Sequence, residues 1–355
     1  MWSRTIVALL AILAAVSAQD SPWALRVLPA REEWTITIAY AVNDQGLIAG
    51  NYSVAPYPDY VSHPLVWSGD AYSILAETCG YPDGRTSGHA NDISNTGLVA
   101  GSSTVVSADP VDIATVWDTT SGTVRSVHPG LPGYSYSHMW RILDDGSAVG
   151  RLGVPGPVFA TKGYYWGPGT SLGRVLEPLP GWESSDTGGL DSGGRVVGYS
   201  FSSQVDGGEA TVWEPDGRVW SLHAEVLAAI PLSLAERVDF TAATHIESDG
   251  LIAGVAVDAA YTLRLMWVRP PLGQIYFLDD AGSSSAGAPV WKGRVAAGAI
   301  GNVAGATDVR ACFWVDGVLH VLPRLAGFGK MRLWGGNRHG VAVGDAVLEG
   351  NTWWW

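Results

Sequence analysis

Basic residues, cysteines and long apolar runs are all scarce in these 355 residues, and each scarcity removes a class of function. Lys and Arg number 21 against 34 Asp and Glu, for a formal net charge of −13 with no basic cluster. Such a chain repels phosphate, so nucleic acid is excluded as a partner. The acidity suits solubility or a cationic partner. Only Cys79 and Cys312 are present, too few for a disulfide framework. Cys79 falls in a loop and Cys312 in a strand pattern, so sequence leaves their pairing open.

A single apolar run of note, Ile6 to Val16, follows Arg4 and precedes the small residues Ser17 and Ala18. It reads as a secretory signal peptide over residues 1–18, cut after Ala18. Residues 19–355 then form one exported domain, secreted or periplasmic. The run is shorter than the about 20 residues of a spanning helix, so no membrane span is expected after cleavage. Also missing are a G-x-S-x-G elbow, a phosphate-binding P-loop, an H-E-x-x-H helix and a dinucleotide fingerprint. No reaction is named by motif, the cofactor is left unknown and no metal is assigned.

What the chain does contain is one stretch rewritten. Ala39 to Ser53, AYAVNDQGLIAGNYS, reads as two short strands around a polar turn, with Gly46 at the positive-φ position. The pattern returns ending at Gly101, Gly150, Gly198, Gly254, Gly305 and Gly344, the seven glycines being spaced by 51, 49, 48, 56, 51 and 39 residues. After each hairpin an apolar run ends in Trp: Trp67, Trp117, Trp166, Trp213, Trp267, Trp314 and the Trp353–Trp354 pair. A turn and a fourth strand follow. Four-stranded units of this period bury their faces only by stacking, so the expected fold is all-β, a seven-bladed β-propeller of four-stranded antiparallel blades. The strand-like segment Ala24 to Leu28 and the C-terminal Asn351 to Trp355 are expected to pair, closing the last blade from both termini. The repeated Trp is then inter-blade core.

Loop lengths place the functional face. The loop between the second and third strands is long in the first four repeats and tight in the last two, and it emerges opposite the NDQG-type turns. Aromatics gather on that face and in the inter-blade segments: Tyr57, Tyr60, Tyr81, Tyr134, Tyr136 and Trp182. Rings beside Asn and Asp suit a carbohydrate or another flat small ligand, and a protein ligand is the alternative. A second candidate lies eight residues before each turn glycine, where successive repeats carry Ile38, His89, His138, Asp186, Ala242, Gly293 and Arg332. His89, His138 and Asp186 sit at one level on adjacent blades, as a divalent metal or acid/base chemistry would require. Turn residues Asp44, Asp144, Asp145 and Asp249 lack the spacing of a calcium loop and read as turn formers. An Ala- and Leu-rich insertion around Val226, broken at Pro231, reads as a short helix.

The coupled signature, AVNDQGLIAG with HPLVW and again ACFWVDG, resembles the HAF-type extracellular repeat family over Ala39 to Trp354. The resemblance implies an exported bacterial repeat protein and carries over no catalytic residue. The expected function is therefore non-enzymatic binding on the long-loop face by a monomer. The alternatives are a propeller-type lyase or hydrolase with a His/His/Asp centre near the central channel, and a structural surface protein.

Overall fold

The computed structural model describes residues 6–13, 23–54, 61–77, 87–105, 111–153, 160–168, 172–202, 205–229, 238–258, 263–269, 274–277, 284–285, 290–292, 295–301, 309–315 and 318–348. Three independent four-stranded sheets come from the middle of the chain. They are Gly88–Ile93 to Thr123–Ser126, Tyr136–Ile142 to Gly173–Leu176, and Ser184–Leu190 to Val219–Ser221. A fourth runs from Val238–Ile246 to Gln274–Phe277, and a five-stranded sheet is built on Val295–Gly301. Ile36–Val42 to Ala71–Ile74 makes the first unit in the same antiparallel order.

First strands lie next to one another. Ile36–Val42 packs on Gly88–Ile93, which packs on Tyr136–Ile142, then Ser184–Leu190, then Val238–Ile246. At the other end Val295–Gly301 packs on Phe328–Gly336, which returns to Ile36–Val42. The short helix expected in the insertion is present at Leu222–Ala229 and buries Leu222 and Val226 against the fourth and fifth units. Pro231 and most of Asp279 to Pro289 lie outside the described residues.

The unit built on Phe328–Gly336 takes in two early strands. Among the described residues Trp23–Val27 has one strand partner. Its partner is Ile6–Leu13, which pairs on its other side with Val341–Leu348. The unit is thus Phe328–Gly336, Val341–Leu348, Ile6–Leu13 and Trp23–Val27, joined to the first unit by one parallel bridge, Ile6 to Ile36. A continuous apolar run such as IVALLAIL suits a strand as readily as a leader. Asn351 to Trp355 lies outside the described residues.

The repeat signature has a structural cause at each of its letters. In six turns the backbone N–H of the first turn residue donates to the carbonyl four residues on, and the glycine N–H donates back, as for Asn43 with Leu47 and Gly46. The turn glycines, Gly46 through Gly340, take φ near +80°, for example 79° at Gly46 and 83° at Gly250. The strand glycine has another reason. Each described first strand but that of the sixth repeat carries a β-bulge opposite it, at Tyr40, Asn91, Trp140, Gly188, Thr244 and Trp334. The bulge lays a carbonyl over the glycine, so a Cβ on Gly50, Gly101 or Gly150 would overlap the oxygen of Ile38, His89 or His138.

The repeated Trp is core, and it is also bonded. Trp67, Trp117, Trp166, Trp213 and Trp314 are at most 3% exposed. Trp67 Nε1 donates to the Pro29 carbonyl at 2.8 Å and Trp166 Nε1 to that of Val127 at 2.8 Å; Trp117 and Trp213 reach Ala76 and Glu177 likewise. Each acceptor follows the fourth strand of the preceding unit. The indole therefore ties one unit to the trailing end of the last, burying a large ring without stranding its N–H.

Candidate functional site

The bulge and the strand glycine set the register of the inner strands, and that register builds the site. The residue eight before each turn glycine pairs directly with the residue following the strand glycine: Ile38 with Asn51, His89 with Ser102, His138 with Arg151, Asp186 with Tyr199 and Arg332 with Asp345. Side chains of cross-strand partners point to the same face. The second, third and fourth units thereby present polar pairs side by side, close to the long-loop end of their strands.

His89 and His138 come together, with ring centroids 5.9 Å apart. Asparagines fix both rings. Asn51 Oδ1 accepts from the Ala90 N–H at 2.8 Å, which turns its NH₂ toward His89 Nδ1 at 3.1 Å. Asn91 Nδ2 donates to the Met139 carbonyl at 2.9 Å and to His138 Nε2 at 2.7 Å. Each imidazole must accept at that nitrogen, so His89 carries its proton on Nε2 and His138 on Nδ1. The Nδ1 of His138 faces Asp112 Oδ2 at 3.5 Å, and Thr104 Oγ1 donates to Asp112 Oδ1 at 2.8 Å.

Burial sets the charges. It drives His89 down to about 4, helped by the neighbouring His138, so His89 is neutral at pH 7. Burial also works against ionising Asp112, but the His138 hydrogen bond, the two imidazoles and the Thr104 hydroxyl outweigh it and hold the carboxyl down at about 2.

Asp186 belongs to a separate knot. Its Oδ1 accepts from Trp140 Nε1 at 3.0 Å and the Thr187 N–H at 2.8 Å, and Arg151 Nη1 lies 3.4 Å from Oδ2. The Arg151 guanidinium also stacks over the Trp140 ring, 5.1 Å from its centroid. Burial pushes Asp186 up, opposed by Arg151, the Thr187 N–H and Trp140, while burial and the adjacent carboxylate push the Tyr199 phenol to about 12. Trp140 packs on the His138 ring at 4.1 Å and stands between the two groups. His89, His138 and Asp186 are therefore one contiguous cluster without a common ligating point. Among the described residues no group of three His, Cys, Asp or Glu side chains is placed to hold a metal ion.

The aromatic candidates fare differently. Tyr136 is half-buried at the loop end of its strand, within electrostatic reach of Arg151, Asp186 and Asp112. Tyr134 packs on the core of the second and third units, and Trp182 Nε1 donates to Glu209 Oε2 at 2.9 Å. Tyr57, Tyr60, Tyr81 and Cys79 lie outside the described residues. Cys312 is fully buried and burial pushes its thiol up, as expected of an inert core cysteine. Asp145 and Asp249 each accept the N–H two residues on, which is turn chemistry, whereas Asp144 accepts from the Asn95 N–H of the preceding unit. Sequence reading missed Asn51, Asn91, Asp112, Trp140 and Arg151. Asn51 and Arg151 follow a strand glycine, and Asn91 and Trp140 occupy the bulge, so the repeat alignment held their signal.

Four-stranded antiparallel sheets set side by side on their first strands make this a β-propeller protein. No family model matches the sequence, and no curated protein matches it either. Solved structures match by shape. A puromycin hydrolase S511A mutant complexed with PGG is 12% identical at a TM-score of 0.56, over 87% of this chain and 51% of that one. A structure from a study of two prolyl endopeptidases is 14% identical at 0.55, over 84% and 44%. A putative TolB from Agrobacterium tumefaciens is 13% identical at 0.49, over 98% and 99%. This chain thus spans about half the length of the hydrolase and less than half of the endopeptidase. At such identities the likeness is one of fold.

Proposed function

We propose that this chain is an exported, seven-bladed, HAF-type propeller that acts as a monomeric binding protein without catalysis, taking a carbohydrate, protein or small ligand on its long-loop face. The observation that carries the non-catalytic reading is the pair of asparagine caps. The amide-facing nitrogen of each imidazole is occupied, His89 Nδ1 by Asn51 and His138 Nε2 by Asn91. An imidazole whose lone pair is taken neither accepts a substrate proton nor ligates a metal. What remains at the mouth is a fixed polar surface of Asp112, Arg151 and Tyr136, in which carboxylate, guanidinium and phenol are already oriented. Such a surface recognises hydroxyl-rich or charged ligands at little ordering cost.

The test is a glycan and peptide binding screen on the full chain, followed by titration calorimetry on Tyr136→Leu and Arg151→Gln. A hit weakened at least tenfold by both variants supports the reading. Hits indifferent to both, or turnover of a screened compound, overturn it. N-terminal sequencing of the exported protein tests the leader, since removal after Ala18 takes Ile6–Leu13 out of the last blade.

A further inference from the structure

At the long-loop end of the first unit, away from the imidazoles, the chain gathers rings around an arginine. Trp34 stacks on Tyr52 with centroids 4.2 Å apart, and lies 4.9 Å from Tyr72. Tyr52 in turn meets the His63 ring at 5.0 Å. Tyr52 ends the second strand and His63 begins the third, so both flank the long loop. Arg31 comes from the exposed segment that precedes Trp34. Its guanidinium lies 5.9 Å from the Trp34 centroid and 5.7 Å from that of Tyr72, and its Nε donates to the Tyr72 hydroxyl at 2.6 Å. Rings placed around a cation attract it through their negative faces.

A second, independent feature is Glu77. Its side chain is only 5% exposed. One oxygen faces His63 Nδ1 at 2.9 Å, while Oε2 is buried without a hydrogen-bond partner among the described residues. A buried carboxylate oxygen left unmatched costs free energy unless a donor arrives. Tyr52 lies within reach of both charges: burial raises its hydroxyl, Glu77 adds to that and Arg31 opposes it. Carboxylate and rings therefore belong to one site, and the chain's net charge of −13 favours a positive visitor.

We propose that Tyr52, Tyr72 and Glu77 form a recognition site for a cationic side chain of a partner polypeptide, and that Arg31 occupies its aromatic wall until the partner displaces it. This rests on the long-loop face being the binding face, and narrows the ligand from carbohydrate, protein or small molecule to a basic peptide. Half-exposed, held by one hydrogen bond, two ring contacts and an exposed ion pair to Glu33 at 3.6 Å, Arg31 is the removable member. Glu77, buried and half-satisfied, supplies the specificity for a donor-bearing cation.

The experiment is titration calorimetry of the full chain with acetyl-Gly-Arg-Gly-amide, using acetyl-Gly-Glu-Gly-amide as reference. Arg31→Ala is expected to bind the arginine peptide at least fivefold more tightly than the parent. Adding Glu77→Gln, which keeps an acceptor for His63, is expected to cost at least tenfold. Near-ultraviolet circular dichroism follows the Trp34–Tyr52 stack in every variant. The proposal fails if Arg31→Ala shows no binding, if Glu77→Gln changes nothing, or if Arg31→Ala abolishes the stacked-ring signal, which would make Arg31 a clamp. Glycan binding elsewhere on the face with no response to the arginine peptide overturns this site and leaves the face reading intact.

Discussion

Asn91 gives one amide NH₂ to two acceptors, the Met139 carbonyl at 2.9 Å and His138 Nε2 at 2.7 Å. The carbonyl fixes the amide, and the amide decides what the imidazole can do.

Replacing Asn91 with Ala uncovers His138 Nε2 and leaves it, and the Met139 carbonyl, short of a donor. The expected loss of stability is about 1–3 kcal/mol, measured by urea unfolding. His138 should at the same time become reactive to diethyl pyrocarbonate, with Asn51→Ala doing the same for His89. Unchanged reactivity in both would show that the asparagines do not govern the rings.

The strand glycine and its bulge predict a sharp positional contrast. Gly150→Ala drives a Cβ into the His138 carbonyl, and the forced shift of a packed backbone is expected to cost about 1–3 kcal/mol. At Gly336, where the nearest atom to an added Cβ is the Val341 carbonyl at 3.4 Å and φ is not positive, alanine should be tolerated. Equal unfolding midpoints for the two variants would remove the close-approach explanation.

For the indoles, Trp166→Phe preserves most of the ring area and deletes the bond to Val127. It should cost about 1–3 kcal/mol through the stranded carbonyl, against about 3–5 kcal/mol for Trp166→Ala. A phenylalanine variant as stable as the parent would reduce the Trp ladder to packing alone.

Two buried groups make opposite demands on pH. His89 is held down at about 4 by burial, below its ordinary value, so the unfolded chain takes the proton first and stability falls as pH drops from about 6.5 toward 4. Asp345 is pushed up to about 6 by burial, against the pull of Arg332 and Trp334. The folded chain holds that proton longer, so stability falls as pH rises from about 4 to 6. Unfolding free energies measured across this window should gain a net fall with pH in His89→Asn and a net rise in Asp345→Asn. Parallel curves for parent and variants would show that neither group titrates with folding.

Much of this fold was legible because its information is periodic. Turn glycine, strand glycine and Trp recur in sequence, so the strand count, the antiparallel order and the buried Trp could be read from spacing. The level shared by His89, His138 and Asp186 was legible for the same reason. What escaped is contact between repeats: Asp112 reaches His138 and Asn91 reaches His138 across a sheet boundary, and no local pattern announces which face a bulge turns outward. The strand at Ile6–Leu13 escaped for a different reason, since an unbroken apolar octapeptide carries no period to say whether it leads a chain out of the cell or lies inside a sheet.

The turns hold a last consequence. Asn43 Nδ2 donates to the Ser94 carbonyl at 2.9 Å, and Asn337 Nδ2 donates to the Asn43 carbonyl at 2.9 Å. The first joins neighbours along the chain, the second joins the chain's late repeat to its early one, and the bond is the same. A partner tracing the turn face from Asn337 through Asn43 to Ser94 therefore meets the same amide-to-carbonyl join twice.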